Sequence, residues 1–173
     1  MKQWILVMAA LLACLTAGAQ SKYYVGGDIS FGASSSGCDV IVYPEIGTRI
    51  AQGLYLGIAA GFDWNNYHSR SDFTMGVIPH LRGYLPLYQN FGLSGDSFFS
   101  ARFTRRDNYD PLIKTLQLGL RPGIYFPIGN TTISTQVGFF GWTRTDYGNG
   151  NASSRWQARL EARDILIGVL VNL

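Results

Sequence analysis

Hydrophobic and polar positions alternate along most of this chain with a period of two residues. In LYLGIAAGFDW, residues 54–64, Leu54, Leu56, Ile58, Ala60, Phe62 and Trp64 share one face; Tyr55, Gly57, Ala59, Gly61 and Asp63 share the other. The closing stretch DILIGVLVNL sets Ile165, Ile167, Val169, Val171 and Leu173 opposite Asp164, Leu166, Gly168, Leu170 and Asn172. That period belongs to a strand with two unlike faces. It predicts eight strands, near 22–33, 39–50, 54–64, 73–85, 91–105, 114–126, 131–143 and 159–173. The gaps between them alternate in kind. AQG, PLYQN and PIGN are short, whereas SSSGC, NNYHSRSD, RDNYDPLI and RTDYGNGNASSRWQA are longer and polar. Short turns at one end and long loops at the other predict an all-β fold, an eight-stranded antiparallel up-and-down transmembrane β-barrel.

The N-terminus follows a different pattern. Lys2, an apolar run from Trp4 to Leu15 and the small residues Ala17-Gly18-Ala19 read as a cleavable signal peptide over 1–19, leaving a barrel domain over 20–173. Leu11-Leu12-Ala13-Cys14 offers a lipoprotein site as the rival reading, against which the bulky Leu12 and the good downstream site weigh. Past this run no segment has 18 consecutive apolar residues, so helical spans are excluded. A hairpin-sized repeat recurs in YPEIGTRI, IPHLRGYL and RPGIYFPI, each with a proline (Pro44, Pro79, Pro122) ahead of a half-strand that runs to a short turn. Proline removes a ladder donor, so a bulge or local bend is expected at each.

Three observations choose which face points outward. The polar face is also the small one, carrying Gly26, Gly32, Gly47, Gly57, Ala59, Gly61, Gly119, Gly123, Gly138 and Gly168, and an eight-stranded barrel has an interior only just wide enough for side chains. The bulky face has aromatics near both ends: Tyr23, Phe91 and Phe126 by the short turns, and Trp64, Phe73 and Phe103 by the long loops. Such girdles mark two membrane interfaces. With the small face inward, the lumen holds Asp28, Glu45, Asp63, Asp96 and Asp164 against Arg49, Arg82, Arg102 and Arg121, with His80 beside them. Confined charges are tolerable when paired, and arginine's fork suits pairing with carboxylates. On the opposite face Arg105, at a loop end, is the charge nearest the apolar band.

Composition agrees. After the signal only Lys22 and Lys114, Glu45 and Glu161 represent the residues that usually dress a soluble surface, while the whole chain holds 21 Gly and 10 Tyr. A net charge of +3 is too mild to imply nucleic acid. Cys38 stands alone once Cys14 is removed, and no Cys, His or carboxylate cluster has metal-ligand spacing, so no metal or cofactor is expected. An open edge in hydrocarbon would leave backbone groups unsatisfied, so the last strand is expected to pair with the first, with Leu173 as the final lipid-facing rung. Gly168, Val171 and Leu173 also resemble the C-terminal signal read by the outer-membrane insertion machinery. Leu166 stands where a polar residue is usual in it, and Leu173 where Phe is usual.

TAGAQ, YPEIGTRIAQGLYLGIAAGFDW, IPHLRGYLPL and LRPGIYFPIGNTTISTQVGFFG together resemble the small outer-membrane β-barrel proteins of Bacteroidetes-type bacteria, similar in shape to the OmpA/OmpX barrels. The resemblance covers residues 20–173. It implies an integral barrel of the Gram-negative outer membrane with periplasmic termini and extracellular loops, and it carries no shared catalytic motif.

Three functional classes are open to such a barrel. Lipid A-modifying chemistry would need a base beside a nucleophile; His68 with Ser69, Ser71 and Asp72 is the one candidate set, in a polar loop where such residues are ordinary. Arginines and carboxylates packed inside so small a barrel leave no open water path, so the alternative is a narrow channel or a lateral route that transports hydrophobic solutes. Surface binding would use Tyr67, Tyr109, Tyr147 and Trp156, which lie among loop arginines suited to recognition and to lipopolysaccharide. The expectation is a non-enzymatic barrel, plugged by its own charges, with a structural or adhesive role and lipid as its surroundings.

Overall fold

The computed structural model describes residues 23–34, 37–67, 70–107, 109–160 and 165–173; the expected signal peptide over 1–19 and Asp164 lie outside them. Antiparallel neighbours run in chain order through β1 (Tyr23–Ser34), β2 (Gly37–Ala51), β3 (Leu54–Tyr67), β4 (Arg70–Tyr88), β5 (Phe91–Arg106) and β6 (Tyr109–Ile128). The last two walls are each made of two pieces. β7 (Thr131–Gln136) and β8 (Phe139–Asp146) follow one another along β6, and β9 (Ala152–Arg159) and β10 (Leu166–Asn172) form the final wall. The sheet closes as expected. β10 pairs with β7 on one side and with β1 on the other, from Tyr24↔Asn172 to Ile29↔Ile167. The result is a closed eight-stranded antiparallel barrel.

The strands begin and end where turn chemistry allows. Gly53 and Gly129 take positive φ (71° and 60°) in two of the short turns, a conformation open to glycine at little cost. At the other end the strands outrun the alternating pattern; β6 starts at Tyr109 rather than near 114, and β4 at Arg70 rather than near 73. Backbone pairing continues there after side-chain burial has stopped selecting for alternation.

The prolines behave differently from expectation. The ladder skips Tyr43 and Pro44 toward β3, and Ile78 and Pro79 toward β5, then resumes in the same register. A missing N–H removes its own bond and need not shift the chain. Of Pro44, Pro79 and Pro122, only Pro122 faces an irregularity. Its carbonyl accepts from Val137 N at 2.8 Å, beside Gly138 at φ 77°, where the seventh predicted strand breaks into β7 and β8. The eighth breaks at the same height: two residues separate Gln136 from Phe139, but six separate their partners Leu166 and Arg159. Among the described residues, β9 is therefore bonded to β8 alone, and Ser30–Ser34 of β1 to β2 alone.

The partition of side chains matches the sequence reading. Leu56, Ile58 and Val169 face outward, as do all six aromatics of the expected girdles. Asp63, Arg82 and Asp96 are buried within the barrel.

Candidate functional site

The most organised chemistry lies in the lumen, toward the short turns. Strand pairing sets Tyr55, Arg82, Asp96 and Arg121 in one cross-strand row over β3, β4, β5 and β6. Glu45 on β2 and Asp28 on β1 meet Arg82 of this row through their side chains. The Arg82 guanidinium donates to Glu45 at 3.0 and 3.2 Å and to Asp28 at 3.1 Å, and stands 3.7 Å from Asp96. Arg82 is 1% exposed. One cation thus holds three carboxylates out of water, an arrangement tolerable only with this degree of pairing. His80 Nε2 lies 3.4 Å from Glu45 and 3.2 Å from the Tyr24 hydroxyl.

Glycines make the room. A Cβ on Gly57 would collide with the Tyr24 hydroxyl and come within 2.8 Å of His80 Nε2; one on Gly47 would meet the Tyr24 ring at 2.5 Å. The bare backbone of Gly168 likewise leaves space for Asp28 and Ser134.

A second group lies nearer the loops. Arg102 donates to Asp63 at 3.2 Å and stacks over Tyr43 at 5.7 Å. Arg121, 8% exposed, lies 3.9 Å over the Phe98 ring and makes no ion pair or hydrogen bond among the described residues. Arg159 covers Phe139 at 5.6 Å. Between the two groups is a cavity of about 70 Å³ lined in part by Asp28, Asp96, Arg102 and Arg121.

The expected network is therefore assembled in most of its members. Asp28, Glu45, Asp96, His80 and Arg82 form one cluster, and Asp63 and Arg102 a pair. Arg121 faces an aromatic ring instead of a carboxylate because Asp96, its cross-strand neighbour, is turned to Arg82. Arg49 is half-buried and outside the network, and Asp164 lies outside the described residues. At the other candidate positions, Val171 pairs with Val25, and the Leu173 amide donates to Tyr23 O at 3.0 Å. Of the loop aromatics, Tyr147 is exposed in a turn, but Trp156 belongs to strand β9, since the last hairpin pairs as far as Ala152. Tyr67 ends β3 and Tyr109 begins β6, with side chains outside those described; His68 is outside altogether.

Two features escaped the sequence reading. Tyr24, Tyr55, Tyr84 and Tyr125 form a belt under the Arg82 cluster, with successive ring centroids 5.6, 5.4 and 4.6 Å apart. Their signal was present: each is a bulky residue on the otherwise small face, close to the short-turn end. At the loop end Asp72 accepts from both Arg70 (3.0 Å) and Arg106 (3.1 Å), joining β4 to β5. Among the described residues no His, Cys, Asp and Glu side chains are grouped as metal ligands.

No protein-family model matches the chain, and no curated protein does. Solved structures do. Neisserial surface protein A superposes with a TM-score of 0.52 at 13% identity, over 87% of this chain and 97% of that one. A major outer membrane protein from Thermus thermophilus gives 0.47 at 13% identity, over 90% and 100%. At such identity the first likeness establishes a shared fold, that of an eight-stranded barrel. None of these comparisons ties the chain to the Bacteroidetes-type family that its sequence resembles.

Proposed function

We propose that the chain is an integral outer-membrane barrel without catalytic activity, its lumen plugged by the Arg82 cluster and the tyrosine belt, with a structural or surface-binding role through loops on the outer side. One observation carries this reading: the largest fully buried side chain is Arg82, while Leu56, Ile58, Phe62, Leu118 and Ile167 are 39–55% exposed. A water-soluble domain of this size would place them the other way round. The scale agrees too. Phe91 and Phe103, at opposite ends of the exposed band on β5, stand about 40 Å apart along the strand, or about 30 Å across a bilayer at the usual tilt. The fold shared with Neisserial surface protein A supports the same location.

Heat-modifiable migration is the test. Unboiled protein from the outer-membrane fraction should run apart from boiled protein; water solubility with one unshifted band would end the reading. Planar-bilayer recording addresses the plug, for which no steady conductance is expected.

A second reading, a side route for a small hydrophobic solute, has one observation in its favour. The lumen cavity is lined by Gly138, Phe139, Arg159 and Leu166, which surround the break in the last two walls. Leu166→Trp, which narrows the cavity beside that break, should stop passage of such a solute and leave a plugged barrel unchanged.

A further inference from the structure

The outward face carries a second organised feature, away from the lumen. Four strands set side chains there in cross-strand rows. Phe99, Leu118, Trp142 and Trp156 form one row across β5, β6, β8 and β9, and Ser97, Leu120, Phe140 and Ala158 the row below it. Because Ser97 is short, the rows leave an open groove of about 520 Å³ floored by Phe99, Leu118, Leu120 and Phe140 and flanked by Trp156. That lies within the range of about 300–1,000 Å³ typical of ligand sites, whereas the lumen cavity is far below it.

Directly above the groove, toward the loops, the same strands carry cations. Leu116 pairs with Arg144 and Phe103 with Lys114, so Lys114 and Arg144 are diagonal neighbours on adjacent strands, about 7–8 Å apart. Arg105 follows on β5, opposite outward-facing Phe73. All three are exposed and make no ion pair or hydrogen bond among the described residues. Asp146 is Lys114's cross-strand neighbour, and its carboxylate accepts from the Gly148 amide at 2.9 Å. Across β4 and β5 at the loop end, Arg70 and Arg106 are engaged, both on Asp72.

We propose that this surface is a binding site for an acylated, phosphate-bearing lipid of the outer leaflet, its chains in the Leu118–Phe140 groove and its phosphate on Arg105, Lys114 and Arg144. Phosphate suits a group of exposed cations that lack partners, and guanidinium binds it with paired hydrogen bonds. Below the cations the lining of the groove holds no Asp, Glu, Lys or Arg, and His80, which adjoins it, directs its ring to Glu45 and Tyr24 in the lumen, so head and tail are both accommodated. The inference rests on the outer-membrane reading, which places the loop end at the outer leaflet, and it supplies that reading with a ligand.

The test uses the full chain, folded and purified in a zwitterionic detergent, titrated with bisphosphorylated lipid A, its enzymatically dephosphorylated form, or inorganic phosphate. Binding of the phosphorylated lipid should be at least about tenfold tighter than that of the dephosphorylated one. The combined variant Arg105→Gln, Lys114→Gln, Arg144→Gln should abolish that preference. Ser97→Phe, which fills the groove from outside, should weaken both lipids together. Equal binding of the two lipids, a preference that survives the triple variant, or displacement of the lipid by millimolar inorganic phosphate would each overturn the proposal. Heat-modifiable migration of every sample separates the two levels: if it persists while lipid preference is absent, the site fails and the barrel stands. If wild type lacks it, the outer-membrane reading fails first.

Discussion

Two ion groups in this barrel have almost the same bond lengths and should differ in energy by several-fold. Arg82 meets Glu45 and Asp28 at 3.0 and 3.1 Å in the lumen, with side chains 0–8% exposed. Asp72 meets Arg70 and Arg106 at 3.0 and 3.1 Å at the loop end, with side chains 20–51% exposed. Distance therefore says little about what either group contributes. At the loop end water replaces a lost partner, and such pairs contribute about 0–1 kcal/mol. In the lumen nothing replaces it, and a stranded charge costs about 3–5 kcal/mol. The lumen cluster is held together or lost as a unit; the clasp can be dispensed with.

The largest expected effect follows from removing the shared cation. Arg82→Met leaves Asp28, Glu45 and Asp96 without their common donor and should lower the unfolding free energy by about 3–5 kcal/mol in urea titrations of lipid-reconstituted protein. Adding Asp28→Asn, Glu45→Gln and Asp96→Asn should recover most of it, because the cost lies in unpaired charge more than in a lost attraction. A single-variant loss below 1 kcal/mol would equate the two groups and break the comparison.

Next comes the space around the cluster. Gly57→Ala drives a methyl into the Tyr24 hydroxyl and His80 and should cost about 1–3 kcal/mol through overpacking. Gly95→Ala is the control: its Cβ would meet nothing within 4 Å, and its cost in the same titration should be near zero.

How much of this was readable in the chain depends on what each residue faces. The two-residue period requires only that neighbours point oppositely, so Leu56 outward and Asp63 inward followed from spacing. Which carboxylate an arginine reaches is set by rotamers and strand stagger, so Arg82's three partners did not follow, nor did the stacking of Arg121 on Phe98. Arg49 was grouped with the lumen by parity alone, and parity cannot register that it lies near the turns. The breaks at Gly138 and after Arg159 were hidden for another reason. Apolar residues continue through the first, and at the second the two-residue alternation runs on through Leu160-Glu161-Ala162-Arg163, while a bulge shifts pairing without changing composition. Trp156 was assigned to a loop because the polar run ASSRWQA has no strand alternation, yet backbone pairing with β8 carries it.

An intermediate case sharpens the comparison. Arg102 bonds Asp63 at 3.2 Å with side chains 21% and 9% exposed. Arg102→Met should cost about 1–3 kcal/mol, since Arg102 itself lies where water already reaches it and Asp63 loses one charged hydrogen bond. Falling between Arg82 and Asp72 would make exposure the governing variable; exceeding Arg82→Met would not.

The smallest effect is the clasp, and pH resolves it. Burial pushes the Asp72 carboxyl up, but hydrogen bonds from Arg70 and Arg106 outweigh it and hold the group below the usual carboxylate range. A depressed folded value stabilises the fold above the unfolded value, near 3.9, and the contribution disappears as pH falls through the folded value. Wild type and Asp72→Asn should therefore differ by about 0.5 kcal/mol at pH 7 and converge as pH falls through the folded value. The difference between the two proteins is the quantity to measure, because the lumen carboxylates titrate in both and cancel. A gap that widened in acid would mean that Asp72 is stabilised in its protonated form, and that the two arginines do not form a clasp on it.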